Sequence, residues 1–377
     1  MVCYLPSASA GGYLRGHAMV AIRALKFLVP GCLLIATVSA QEAKPLVGTD
    51  GSVASVGARI PFSASASPQA LKRFQEILLE DKAAPGIADP LASRTFYGRI
   101  NSDRAERMKK LYPVEIKTSI ISGVPVAIVS STGGKSDEQR ALINLHGGAF
   151  LWGAGSGGLV ESIPVASLSK IKVISVDYRE GPEETYPAAS EDVEKVYRAL
   201  LQHHKPENIG IYGCSAGGVL TAQSIAWFLD KGLPLPGAIG IFCAGVVDMG
   251  GDSTFVGPML MGQNVPAAQP PGLGSLPYFK GADFKSALVL PGNSPAVLAK
   301  FPPALLISGT RDMALSAALR SNELLTQAGA TTELHVWEGM WHSFFSDPEL
   351  PESKAAYAVM ARFFDRRLGK ILPPMER

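Results

Sequence analysis

Short apolar runs alternate with longer amphipathic stretches along most of the chain beyond residue 113. The runs have the length of a buried strand, roughly four to eight residues, and the longer stretches repeat their apolar residues at helical spacing. Such alternation is typical of βαβ units and predicts a largely parallel sheet. The strands are predicted at residues 115–122, 124–130, 141–145, 173–177, 209–212, 238–243, 304–308 and 333–337.

Helical spacing of apolar residues also predicts helices that alternate with these strands or follow them. Two further helical patterns, at residues 68–80 and roughly 92–111, precede the first strand, and we expect them to contribute to a lid. The first two strands are separated by Ser122-Gly123, a pair suited to a two-residue hairpin turn. The later helices are predicted at residues 188–201, 216–229, 315–327 and 352–367.

One stretch interrupts the alternation. Residues 248–291 are rich in Gly and Pro and lie between the sixth and seventh predicted strands. Because connections this long inside a compact domain are usually functional, we expect a cap insertion that forms the wall or lid of a pocket. The whole pattern predicts an α/β fold with a mostly parallel eight-stranded sheet, flanked by helices and covered by a helical cap.

The first forty residues differ from the rest because they contain basic but no acidic residues. From Met19, a short basic start is followed by the apolar run 27–38 and by small residues up to Ala40, the pattern of a signal peptide cleaved after Ala40. The run is too short to span a bilayer, which takes roughly 20 residues. A lipoprotein signal at Cys32 is the weaker alternative, since Pro30 interrupts it. We therefore expect a secreted or periplasmic protein without stable membrane insertion.

These features divide the chain into a signal peptide at 1–40, a flexible lead-in with N-terminal cap helices at 41–112, and a catalytic domain at 113–377. The 35 Lys and Arg residues nearly balance the 33 Asp and Glu residues, which favours no nucleic-acid partner. Cleavage would leave only Cys214 and Cys243, too few for a disulfide framework. Without CxxC, HExxH or a Cys/His cluster, we expect neither a metal nor another cofactor. The sequence leaves the oligomeric state open, a homodimer included.

A candidate nucleophile stands out at Ser215, in the run Gly213-Cys214-Ser215-Ala216-Gly217. This GxSxG follows a predicted strand and precedes a predicted helix, the context in which a serine is raised on a sharp turn. The small residues allow that turn, and the Ala216 amide at the helix N-terminus is placed to bind an oxyanion. Cys214 is a rival nucleophile, but a turn centred on it would require a small residue at Tyr212.

A glycine-rich loop follows the predicted strand 141–145, in the run His146-Gly147-Gly148-Ala149-Phe150. Glycines let a backbone approach a ligand closely. We expect amides of Gly147 and Gly148, and less clearly Ala149, to join Ala216 in an oxyanion hole. His146 itself is interpreted as a structural hydrogen-bonding residue.

The acid and the base should follow the nucleophile in chain order, on loops after the last strands. Asp312 follows the strand 304–308, and His342 follows the strand that ends at Trp337. We therefore predict a Ser215, Asp312, His342 triad, in which the imidazole takes the serine proton and the carboxylate orients the imidazole. Competing acids are Asp248 and Glu338, and the less suitable histidines are His203, His204 and His335.

With these residues in place, the chain from Val114 to the C-terminus resembles the hormone-sensitive-lipase family of α/β-hydrolases. The resemblance implies an α/β-hydrolase fold, a two-part lid and cofactor-free hydrolysis of short to medium acyl esters, as in bacterial carboxylesterases. The chain departs from the family at Cys214, where Asp or Thr is common, at Ala149 in place of a third Gly, and at Glu180-Gly181. The matching motifs are His146-Gly147-Gly148-Ala149-Phe150, Val176-Asp177-Tyr178-Arg179 with Pro187-Ala188-Ala189, the Ser215 turn, Pro302-Pro303-Ala304 leading to Asp312, and Gly339-Met340-Trp341-His342.

Other functions remain open at this point. Gly153, Gly155 and Gly158 match the GxGxxG of a dinucleotide site, with Asp177 as the acidic partner, but the motif starts well beyond the end of its strand. A catalytically silent ligand-binding protein would generally lose a triad member, and none is missing. An acyltransferase or a peptidase could use the same triad, because the fold does not fix the acceptor or the leaving group.

Overall fold

The structure, a computed structural model, describes residues 46–48, 53–55, 58–132, 137–265, 270 and 272–369. An eight-stranded sheet runs through residues 114–337. Its strands are β1 Val114–Ile121, β2 Val124–Ser131, β3 Asp137–Leu145, β4 Ile171–Val176, β5 Ile209–Cys214, β6 Ala238–Phe242, β7 Ala304–Gly309 and β8 Thr332–Trp337. Their spatial order is β8-β7-β6-β5-β3-β4-β2-β1. The first two strands are antiparallel to each other, β2 is antiparallel to β4, and the remaining neighbours are parallel.

All the predicted strands are confirmed, and so is the hairpin at the first turn. Ile121 pairs with Val124, and both Ser122 and Gly123 have positive φ, 50° and 84°. Two positive φ angles define the turn whose twist matches that of the flanking strands. The central parallel strands β5, β6 and β7 are buried on both faces, which is why they appear in the sequence as nearly continuous apolar runs.

The helices that sequence periodicity predicts are all present, with ends that shift by a few residues. The described residues contain three further helices that were not predicted: α3 Ser156–Ser169, α6 Ser253–Leu260 and α7 Pro295–Leu298. Helix α3 is buried on almost every side, so it has no polar face to produce a helical period. The helices are α1 Pro68–Ala83, α2 Pro90–Leu111, α3 Ser156–Ser169, α4 Ala188–Leu200, α5 Ala216–Asp230, α6 Ser253–Leu260, α7 Pro295–Leu298, α8 Leu315–Gln327 and α9 Pro351–Arg367.

Two buried clusters cover the faces of the sheet. On one face, side chains such as Ile143 of β3 pack with Val193 and Leu220 from α4 and α5. On the other, Leu142 packs with Phe364 of α9 and with residues of α3. Neighbouring residues of β3 thus belong to opposite faces, as the period of a strand requires. The strand ends, and the loops that leave them, are thereby held between two packed layers.

Before α1, the chain contains three short antiparallel strands, Leu46–Val47, Val53–Ser55 and Ala58–Ile60, which the sequence pattern did not predict. The expected signal peptide and its cleavage site after Ala40 lie outside the described residues. Among the helices of the described ranges, none combines the length and the apolar composition needed to cross a membrane.

Candidate active site

Ser215 lies on the turn between β5 and α5, with φ 56° and ψ −120°. A non-glycine residue in this region of backbone space is strained, and the packing around it must hold it there. The Ser215 amide donates to the Phe242 carbonyl at 2.8 Å, which fixes the turn to the end of β6. A Cβ at Gly217 would lie 1.7 Å from the Leu145 carbonyl oxygen, so only glycine lets α5 start this close to β3.

His342 and Asp312 are in direct contact. Nδ1 of His342 and Oδ1 of Asp312 are 2.7 Å apart, and the Asp312 side chain is fully buried. The same carboxylate accepts hydrogen bonds from the Ser308 hydroxyl at 2.7 Å and from the Ala314 amide at 2.8 Å. Because a carboxylate is an acceptor, Nδ1 carries the proton, and Nε2 of His342 is left to accept one.

The two groups shift each other's pKa in the directions a charged pair requires. Burial alone would raise the pKa of Asp312, but the charge of His342 and the hydrogen bonds to the carboxylate hold that pKa below its usual value. Burial works against a charged His342 as well, yet the Asp312 carboxylate raises the pKa of the imidazole above 6.5. Asp312 is therefore ionised at neutral pH and favours the imidazolium form of its neighbour.

Ser215 and His342 line one cavity of about 440 Å³ together with the loop after β3. Gly147, Gly148 and Ala149 all face this cavity, and Ala216 is the first residue of α5, directly after Ser215. Gly148 and Ala149 both have positive φ, 124° and 54°. The Gly147 amide already has an acceptor, Oε1 of Glu161, at 3.4 Å. The structure thus brings the residues predicted for catalysis to one place, and it gives the first loop amide a partner within the protein.

Much of the remaining cavity wall comes from the two segments predicted to form a lid, and the rest comes from α3 and from the loops after β3, β7 and β8. We call these two segments the cap: helices α1 and α2 with their connection, and the segment 248–291. Tyr97 of α2 stacks on Trp152, with ring centroids 4.9 Å apart, and both line the cavity. The lining residues contributed by the cap are Ile77, Ile87, Tyr97, Asn101, Arg104, Gly257, Pro258, Met261 and Gln263.

Several residues near the cavity were not singled out by the sequence. Arg311, next to Asp312, places its guanidinium over the rings of Phe62 and Phe74, at 4.6 and 4.7 Å. It also donates to the Leu260 carbonyl at 2.7 Å, so it touches both parts of the cap. Glu161, on the unpredicted helix α3, is a buried carboxyl that lines the cavity. The sequence offers one signal for these residues, the position of Arg311 next to Asp312. That Arg311 and Glu161 lie near the cavity becomes visible only in the three-dimensional structure.

Cys214, the rival nucleophile, is buried below the turn, with 1% of its surface exposed. Its Sγ contacts the Ser343 hydroxyl at 2.8 Å, and the Ser343 amide donates to Sγ of Cys243 at 3.3 Å. Burial raises the pKa of the Cys214 thiol, which disfavours the thiolate needed for attack. Cys214 therefore packs beneath the loop that carries His342, rather than facing the cavity.

The competing acids and histidines occupy other places. Asp248 accepts hydrogen bonds from the amides of Met249 and Leu273 inside the cap, and Glu338 is exposed. His146 is fully buried and stacks on Tyr178, with ring centroids 4.2 Å apart, in agreement with a structural role. His203, His204 and His335 are absent from the lining of the cavity.

In the GxGxxG segment, the position that a dinucleotide would occupy is filled by a side chain of the protein. The Asp177 carboxylate accepts the Gly155 amide at 2.7 Å, and so occupies the helix N-terminus that a pyrophosphate would need. Within the described ranges, one group of side chains offers three metal-ligating atoms close together: Cys243, Asp312 and His342, within 4.8 Å of one another. Two of the three are already hydrogen-bonded to each other.

Comparison with known proteins agrees with this geometry. The sequence profile of the α/β-hydrolase fold matches residues 142–346. An acetyl-hydrolase of Streptomyces hygroscopicus is 25% identical over 242 residues, which cover 62% of this chain and 78% of that protein. The crystal structure of esterase E25 superposes with a TM-score of 0.70 at 29% identity, covering 84% of this chain and 99% of the other.

A second solved structure, an esterase from the bacterial hormone-sensitive lipase family, has a TM-score of 0.69 at 25% identity. It covers 81% of this chain and is itself covered completely. The sheet order, the profile match and both structural neighbours indicate the same fold family. The chain belongs to the α/β-hydrolase fold family, in its hormone-sensitive-lipase group of esterases.

Proposed function

We propose that this protein is a serine carboxylesterase that hydrolyses short- to medium-chain acyl esters through an acyl-enzyme on Ser215. One observation carries the proposal: a serine on a strained turn shares a cavity with a histidine whose Nδ1 is bound to a fully buried aspartate. A serine hydroxyl is a weak nucleophile until a neighbouring base removes its proton, and this arrangement supplies the base and its orienting acid.

The steps follow from the hydrogen bonds. Nε2 of His342 takes the Ser215 proton while Oγ attacks the ester carbonyl, and Asp312 stabilises the imidazolium that forms. The amides of Gly148, Ala149 and Ala216 stabilise the oxyanion, since the Gly147 amide is engaged with Glu161. His342 then returns the proton to the leaving alcohol. Water enters, loses a proton to the same imidazole and bonds to the acyl carbon. The bond to Oγ then breaks, His342 returns the proton to Oγ of Ser215, and the acid leaves.

The size of the cavity supports small substrates. About 440 Å³ lies near the low end of the range for small-molecule pockets, roughly 300–1,000 Å³. The stacked pair of Tyr97 and Trp152 closes part of it. A relative is named acetyl-hydrolase, which agrees with a preference for short acyl groups. We therefore expect the highest kcat/KM with acetyl to butyryl esters, falling as the acyl chain lengthens.

A panel of p-nitrophenyl esters of increasing chain length tests the proposal. Ser215→Ala and His342→Ala should each lower kcat by about 10⁴-fold or more, with little change in thermal unfolding. A fluorophosphonate should label the wild type and leave Ser215→Ala unlabelled. Cys214→Ala serves as the matched variant one residue away, and it should still be labelled. Equal turnover by Ser215→Ala, or labelling lost only in Cys214→Ala, would refute the assignment.

We also propose that the protein is exported, with the mature chain starting at Gln41. The support is the sequence pattern before Ala40, with its basic start, apolar run and small residues. Expression of the full chain in a bacterial host, followed by N-terminal sequencing of the exported fraction, should give Gln41 as the first residue. Ala40→Arg should block cleavage. Full-length protein confined to the cytoplasm would contradict the proposal.

A further inference from the structure

Behind the glycine loop lies a carboxyl group that the proposed mechanism does not use. Glu161, in helix α3, is only 6% exposed and lines the cavity that contains Ser215. Its Oε2 accepts a hydrogen bond from Nδ2 of Asn144 at 3.0 Å, and its Oε1 accepts the Gly147 amide at 3.4 Å. The side chain therefore connects the end of β3 to the loop whose amides face the substrate.

Asn144 is itself held in place. It is fully buried, and its Oδ1 accepts a hydrogen bond from the Ser175 hydroxyl at 3.2 Å. The backbone carbonyl of Glu161 receives a further contact from the Tyr212 hydroxyl at 3.4 Å. Glu161 thus has little freedom to turn away from Gly147, and a change in its charge acts directly on the loop.

In the described part of the chain, the salt bridges do not include Glu161. Arg104 of α2 lines the same cavity, but its guanidinium pairs with Asp347 at 3.3 Å. The titratable groups that feel its charge are Tyr178 after β4, Tyr212 and Cys214 on β5, and Tyr357 on α9. All four are buried, their pKa values are raised, and they are neutral at pH 7. Burial correspondingly raises the pKa of Glu161 to about 8, against the opposing hydrogen bonds from Asn144 and from the Gly147 and Cys214 backbone.

The two protonation states of such a group differ in their effect on catalysis. A neutral carboxyl accepts the Gly147 amide and adds no charge next to the site where an ester oxygen becomes negative. An ionised carboxyl adds a negative charge in a poorly solvated region, where charges interact much more strongly than in water. It would oppose the developing oxyanion and pull on the loop that should stabilise it.

We propose that Glu161 is a positioning residue: it holds the Gly147 peptide of the oxyanion loop, and it must carry its proton for full turnover. Loss of that proton then sets the upper pH limit of activity. This inference rests on the proposed esterase function, because it concerns the stabilisation of an oxyanion in that reaction. It assigns a role to a residue outside the triad and outside the predicted oxyanion amides.

The test is the pH dependence of kcat/KM for p-nitrophenyl acetate, from about pH 5 to about pH 10, corrected for spontaneous hydrolysis. The wild type should lose activity above a pH of about 8, by about tenfold at the alkaline end. Glu161→Gln has nearly the same shape and cannot ionise, so it should remain active at neutral pH and keep its activity on the alkaline side. The same alkaline decline in Glu161→Gln would overturn the proposal.

Glu180→Gln is the matched control, because Glu180 is also a largely buried carboxyl with a raised pKa but faces His146 and Arg94. It should keep the alkaline decline of the wild type, and loss of the decline in this variant would assign the titration to Glu180 instead. If Glu161→Gln does not fold, the wild type decides, since constant activity up to about pH 10 contradicts the proposal. Failure of the esterase function itself would appear separately, as a wild type with no Ser215-dependent turnover.

Discussion

Asp312, at the end of β7, is fully buried and hydrogen-bonded to an imidazole, a hydroxyl and an amide. Leu91, at the start of cap helix α2, exposes 74% of its surface. The contrast extends to the regions around them. We call the loops after β3, β5, β7 and β8 the catalytic frame. Among their large apolar side chains they expose Met313, whereas the cap exposes several.

The cap is held by buried side chains and by specific polar anchors. Phe74 and Met108 of the cap helices belong to one buried cluster, and Tyr278 of the segment 248–291 belongs to the other. Arg94 of α2 donates to the carbonyls of Leu151 and Gly181 and forms a salt bridge with Glu183 at 2.7 Å. Surface ion pairs contribute little to stability, so the two carbonyl contacts matter more than the charge pair. A frame fixed by dense packing suits chemistry that needs exact distances, and the exposed parts of the cap are the parts that can vary with the substrate. The exposed large apolar residues of the described part of the cap are Leu79, Ile87, Leu91, Leu111, Val256 and Val265.

The largest expected effect comes from a change in the frame. Asp312→Asn should lower kcat/KM by about 10⁴-fold, because an amide no longer enforces the Nδ1–H form of His342 or stabilises its charge. The folded structure should persist, since Asn preserves the shape. Asp248→Asn is the matched change in the cap, and steady-state kinetics should show a loss of less than about tenfold. A larger loss in Asp248→Asn would reverse the assignment of the acid.

Two glycines with positive φ, one in the catalytic frame and one in the cap, allow a direct comparison of the two regions. A Cβ at Gly148 in the frame would lie 1.7 Å from the Trp152 carbonyl oxygen, whereas a Cβ at Gly86 in the cap meets nothing within 4 Å. Gly148→Ala should lower kcat by about 10²-fold, because the loop must move away from the oxyanion. Gly86→Ala should cost only about 1–2 kcal/mol in unfolding free energy, from backbone strain alone. Kinetics and thermal unfolding measure both, and equal activity losses would contradict the comparison.

The acid side of the pH profile tests the pair within the frame. His342 acts as a base only when neutral, so kcat/KM should rise with pH and fall about tenfold per unit below its pKa. Because Asp312 raises that pKa, the inflection should lie above 6.5 in the wild type. In Asp312→Asn the raising charge is gone, and the inflection should move to lower pH. An inflection that stays in place in this variant would show that another group titrates.

The smallest effect is expected in the cap. Tyr97→Ala removes the ring that stacks on Trp152 and enlarges the cavity. KM for acetyl and butyryl esters should rise by about fivefold, with a smaller change in kcat and improved turnover of longer acyl chains. Tyr97→Phe keeps the stacked ring and should retain the chain-length profile of the wild type. A collapse of kcat in Tyr97→Ala would mean that the cap takes part in the chemical step.

Much of the fold could be predicted because its signals are local. The apolar runs are the buried strands themselves. The GxSxG and HGG segments directly follow two of these strands, where only small residues let the two turns approach each other closely. Chain order and the predicted strand ends then favoured Asp312 and His342, with Asp248 and Glu338 as competing acids. Helix α3 was missed because its burial on nearly all sides removes the periodicity by which a helix is predicted.

By itself, the sequence determined the eight strands of the large sheet, the amphipathic helices between and around them, and the triad and glycine-loop residues that the structure gathers around Ser215. Only the tertiary structure decided that the Gly147 amide faces Glu161, that Cys214 packs beneath the His342 loop, and how much space the cap leaves above Ser215. Local patterns predict secondary structure because consecutive residues within one helix or strand share the same backbone conformation. The partner of an amide and the size of a cavity depend on segments far apart in the chain, which meet only when the core closes.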